Sequence, residues 1–103
     1  MNSKVNLKTV FFKLKIEDIF ILKGKSSVVC GRVESGTINN QSEVLIVNQE
    51  GMILSRTRII DLDWFDRCRC GEYVEADEGM NIGILFDLSC SQILSVGNYI
   101  VIE

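Results

Sequence analysis

Apolar and polar residues alternate along most of this chain with the period of two that marks half-buried β-strands. Phe12, Leu14 and Ile16 alternate with Lys13, Lys15 and Glu17. After Asp18 the aliphatic positions are Ile19 and Ile21, so the phase slips by one residue. Such a slip reverses the inward face unless the backbone bends, which predicts a bulge at Glu17-Asp18. Leu22-Lys23-Gly24-Lys25-Ser26 reads as a hairpin turn before a strand from Ser27 to Glu34. Ser35-Gly36 and Asn39-Asn40-Gln41-Ser42 punctuate the next connection, and Val44 to Val47 forms a short buried strand. Beyond a tight turn at Gln49-Glu50-Gly51, Ile53 to Trp64 reads as one longer strand. In it Ile60, Leu62 and Trp64 alternate against Asp61 and Asp63.

Residues 66–73 read as an irregular loop, and Ile82, Ile84, Phe86 and Leu88 as a further strand. Ser89 to Ser95 is the only stretch with helical character, with Ser89 as its cap and Gly97 as its end. Asn98 to Ile102 closes the chain as a final strand. Many short strands without repeats, linkers or proline predict an all-β antiparallel barrel or sandwich. A closed barrel is favoured because closure removes the exposed edges these β-branched runs would present.

At 103 residues with 47% hydrophobic content, the sequence suits one ordered domain, residues 1–103, with 1–9 read as a flexible N-terminus. The net charge of −3 gives no long-range attraction for nucleic acid as a whole. Its distribution is uneven: residues 1–32 are rich in Lys and Arg, while Asp61-Leu62-Asp63 and Glu72 to Glu78 are acidic. No stretch approaches a membrane span or a secretion signal, so the expected compartment is the cytoplasm, without membrane contact. Thiols stay reduced there. Cys68-Arg69-Cys70 lacks the C-x-x-C spacing of zinc knuckles, and there is no histidine, so no metal and no cofactor is expected. The absence of histidine also leaves no ordinary catalytic triad. Gly24-Lys25-Ser26 has the tail of a phosphate loop but no glycine at position 19, and it lies in a strand turn. A non-enzymatic role is expected.

The stretch FFKLKIEDIFILKGKSSVVCGRVESGTI resembles the second domain of elongation factor Tu and related translational GTPases. That family reads close to F-x-L-x-I-E-D-V-F-x-I-x-G-R-G-T-V-V-T-G-R-V-E-x-G-x-I. The likeness continues through EVLIVN, DLDWF and EGMNIGILF, and ends at SVGNYIV. It implies a six-stranded antiparallel closed barrel. It also implies a pocket for the aminoacylated 3′ end of tRNA, lined by Glu17, Asp18, Phe20 and Asn81, with Asp63 where a family glutamate meets the terminal adenosine. Polar acceptors and an aromatic at a bulged rim suit an unpaired nucleotide.

Three departures stand against it: Gly24-Lys25-Ser26-Ser27 at the family's Gly-Arg-Gly-Thr turn, Asp87-Leu88 at its Arg-Gly, and a longer loop from Asp66 to Glu78. No stretch matches the GTPase domain, so the expected role is a free-standing, non-catalytic binding module. Its expected partner is a protein, such as a GTPase or translation component, or a second copy. The alternatives are binding of an aminoacylated or single-stranded RNA end, and a redox or metabolic accessory role through the Cys68/Cys70 loop.

Overall fold

The computed structural model describes residues 4–22, 26–63, 75–87, 89 and 92–103. The described residues form ten strands: β1 (Phe12–Lys15), β2 (Asp18–Leu22), β3 (Ser26–Ser35), β4 (Thr37–Asn39), β5 (Glu43–Val47), β6 (Ile53–Arg58), β7 (Asp61–Asp63), β8 (Glu75–Asp77), β9 (Asn81–Asp87) and β10 (Tyr99–Ile102). All of the pairings are antiparallel. The main sheet runs β6-β5-β10-β1-β3-β9-β7, with β2 also on β3, and β4 pairs β8 in a small second sheet. Among the described residues no helix is long and apolar enough to cross a membrane.

The slip at the acidic pair is a bulge, as its sequence predicts. Leu14 pairs with Val33 and Asp18 with Cys30, so four steps along one strand oppose three along the other. The Glu17 N–H donates to the Cys30 carbonyl at 2.8 Å. The Ile16 N–H turns instead to the Asn98 carbonyl at 2.9 Å. β1 and β2 are thus two halves of one bent strand along β3. A second bulge precedes them, with Glu34 as the extra residue between the Lys13–Ser35 and Leu14–Val33 pairs.

The curled sheet wraps one core. Phe12, Leu14, Ile16, Val29, Ile84 and Phe86 belong to it, fully buried. A smaller cluster lies on the outer face of β5 and β10, where Val5 covers Leu45, Val47 and Val101, with Leu7 and Val10 packed alongside. There Lys4 bridges to Met52, and the Val5 N–H donates to the Gly51 carbonyl at 2.9 Å.

Four expectations are corrected. The all-β class stands, but the ladders of the described residues leave an open, curled path, because no ladder joins its end strands β6 and β7. The expected single strand from Ile53 breaks at Ile59-Ile60, where Ile59 turns in and Ile60 is exposed. The Ile60 N–H then donates to Leu85 on β9, not to β5. Ile21, expected to face inward, is 54% exposed. It lies on β2, which among the described residues pairs with β3 alone, so its outer edge is uncovered. The cap at Ser89 comes from Asp87, whose carboxylate accepts the Ser89 N–H at 2.9 Å. Ser89 and Gln92 have 3₁₀ geometry, and Gly97 ends the segment at φ 96°. The turn at 23–25, Trp64, the Cys68/Cys70 loop and Cys90 lie outside the described residues.

Candidate nucleic-acid interface

β3 is the middle of the region that carries the candidate site. β2 lies on one side of it and β9 on the other, with β7 beyond β9. The registers make cross-strand rows. Ile19, Val29, Ile84 and Leu62 form one row, and it packs into the core. The rows on either side point outward, since side chains alternate between faces. One of them is Asp18, Cys30, Gly83; the other runs Phe20, Val28, Leu85, Asp61. Two residues further along β3, Arg32 pairs with Asn81.

This outer face has a buried floor and an exposed border. Cys30, Val28 and Gly83 are buried without belonging to either apolar cluster. Glu17, Asp18, Arg32 and Asn81 are exposed, and Phe20 keeps 49% of its surface open. Burial of an aromatic stabilises by kilocalories, so a phenylalanine left this open on a strand has a small share in the core. One Asp18 oxygen accepts its neighbour Ile19's N–H at 2.9 Å, which fixes the carboxylate at the edge.

Strand spacing of ~4.8 Å and a rise of ~3.3 Å per residue place Asp18 about 12 Å from Asn81, two strands and two residues away. Four of the five expected residues, Glu17, Asp18, Phe20 and Asn81, therefore border one continuous surface. Asp63 joins through its backbone pairing with Gly83. Arg32 was not singled out by its sequence, although it sits between Asp18 and Asn81 on the central strand. Its guanidinium lies over the turn before β9, with Nη2 3.9 Å from where a β-carbon on Gly79 would stand. No carboxylate of the described residues pairs with it, whereas Lys13 is engaged by Glu34 at 3.6 Å and by the Tyr99 ring. Among the described residues no cluster of three His, Cys, Asp or Glu could hold a metal ion. The arrangement of two carboxylates, an amide, an aromatic and a guanidinium on an open face suits binding.

No family model matches the sequence. The chain is 35% identical over 75 residues to the apicoplast elongation factor Tu of Plasmodium falciparum (isolate 3D7), a match covering 73% of this chain and 17% of that protein. It is an elongation-factor-Tu-like β domain. The solved structure of translation elongation factor SelB from Methanococcus maripaludis, in its apo form, superposes with a TM-score of 0.69 at 20% identity. That likeness concerns the fold and covers 92% of this chain and 19% of the SelB chain. The elongation-factor-Tu-like domain thus spans under a fifth of the length of either relative.

Proposed function

We propose that this elongation-factor-Tu-like domain is a non-catalytic binding module of translation. Its outer face along β2, β3 and β9 takes the aminoacylated, single-stranded end of an RNA. The carrying observation is Phe20, half exposed on the same face as Asp18 and on the sheet that also presents Asn81. An exposed ring offers a stacking surface to an unpaired base, worth about 1–3 kcal/mol per base. The carboxylates of Glu17 and Asp18 suit an α-ammonium group, and the Asn81 amide can both donate and accept. Asp63, placed on Gly83 by its backbone, completes the border in this reading.

The barrel in this reading has six strands, counting β1 with β2 and β6 with β7 as bent single strands. Support for the functional reading also comes from the likeness to an elongation factor.

The test is an NMR titration with an aminoacylated acceptor-stem mimic. Shifts clustered at residues 17–20 and 81–83 are expected. No shifts at millimolar ligand would overturn the reading. The domain would then act through a protein partner, for which the exposed Ile21, Leu54 and Ile60 offer apolar contact.

A further inference from the structure

We propose that Arg32 is the phosphate-contacting residue of this face, an assignment that rests on the RNA-end reading above. Three observations carry it. β3 lies between β2 and β9, so Arg32 stands between the two halves of the border: directly opposite Asn81, and one strand and two residues from Asp18. That spacing is about 8 Å, within reach of one nucleotide's phosphate and sugar from a ligand resting on both. Second, the guanidinium is exposed and makes no ion pair with a described carboxylate, although Glu17, Asp18 and Glu78 all lie on neighbouring segments. Third, the local structure restrains it. Val33, the next residue, accepts the Gly79 N–H at 2.8 Å and donates to Met80 at 2.9 Å, which fixes the turn over which the guanidinium lies.

The ligand chemistry follows from the charges. Glu17 and Asp18 repel a phosphate and attract an ammonium, so a ligand carrying both must orient with its anion away from the acidic bulge. Arg32, opposite Asn81, is a cation on that side of the same face, and Lys15 stands beside it on β1. Arginine suits the task because its planar fork matches two phosphate oxygens at once. The domain's net charge of −3 makes this local contact, and no general field, the source of any phosphate attraction.

The experiment measures affinity for a short single-stranded RNA bearing a non-hydrolysable 3′-aminoacyl amide, at several salt concentrations. Wild type, Arg32→Gln, Arg32→Lys and Arg56→Gln are compared, the last removing an exposed cation on β6, away from this face. Arg32→Gln is expected to weaken binding and to lower the slope of log affinity against log salt by about 0.7, the value for one single-strand phosphate. Arg32→Lys should retain the slope while losing affinity, and Arg56→Gln should leave both unchanged. Wild type that binds at residues 17–20 and 81–83 with an unaltered slope in Arg32→Gln would overturn the Arg32 assignment alone. Equal effects from Arg32→Gln and Arg56→Gln would overturn it in favour of diffuse charge. Wild type that fails to bind would remove the assignment together with the functional reading.

Discussion

The backbone carbonyl of Lys15 lies against Gly31, in the space that a β-carbon on that residue would occupy. The Leu14 side chain closes in from the same direction, at 3.0 Å from that point. The bulge at Glu17-Asp18 and the glycine facing it on β3 are therefore one device: the extra residue pushes β1 onto β3, and only a missing side chain makes room. Gly31→Ala should destabilise the domain by about 1–3 kcal/mol, the usual cost of overpacking, because the obstructing atom is backbone and cannot rotate away. Gly36→Ala should cost more, since Gly36 has φ 79° as well as the Phe11 carbonyl against it. Denaturant melts of both variants check this. An unchanged midpoint for Gly31→Ala would show that the strands part without penalty.

Phe20→Ala separates packing from binding. A core phenylalanine loses about 3–5 kcal/mol on truncation. With 49% of its surface open, Phe20 should lose under about 1.5 kcal/mol, while binding of the aminoacylated RNA end weakens by about 1–3 kcal/mol. A stability loss in the core range would place the ring among structural residues.

Ser27 is fully buried, and its hydroxyl finds no hydrogen-bond partner among the described residues. A hydroxyl removed from water without a partner opposes folding. Ser27→Ala should therefore leave stability unchanged or raise it by up to about 1 kcal/mol. A loss of more than about 1 kcal/mol in a urea melt would mean that the hydroxyl is bonded in solution.

Asp87 governs part of the acid limb. Hydrogen bonds from Ser89, first its N–H and then its hydroxyl, hold the carboxyl below its ordinary value of 3.8. A depressed folded-state value contributes stability that is present above the unfolded value and is lost as pH falls through the folded one. The contribution should be full near neutrality and fade below about pH 4. Asp87→Asn should flatten that part of the stability profile. Parallel wild-type and mutant profiles from pH 5 to 2 would refute the assignment.

The bulge was legible because aliphatic residues must keep one face, so the shift from Ile16 to Ile19 had to appear as an extra residue. The strand break at Ile59-Ile60 left a weaker mark: two adjacent isoleucines fit either phase, and only their pairing partners decide which one turns inward. Ile21 carries the same ambiguity, since alternation does not reveal that β2 is paired on one side alone. The β4–β8 pair was missed because Ala76, its buried centre, is a small residue within an acidic run. At the candidate site, Glu17, Asp18, Phe20 and Asn81 came from resemblance, and the register then brought them to one surface. Arg32 escaped notice because an arginine between Gly31 and Val33 in a strand looks like any exposed residue. Its neighbours across β2 and β9 give it meaning, and those are set by pairing.

The pairing of Phe12 with Ile102 also dictates how the molecule comes into being. β1 cannot complete its pairing on this side until β10, far along the sequence, has been made. Until then the edge of β1 away from β3 has no partner strand. Sheets assembled from such distant partners fold slowly, because loop closure must come before the contacts that stabilise it. During synthesis the folding of this sheet therefore waits for β10 to emerge.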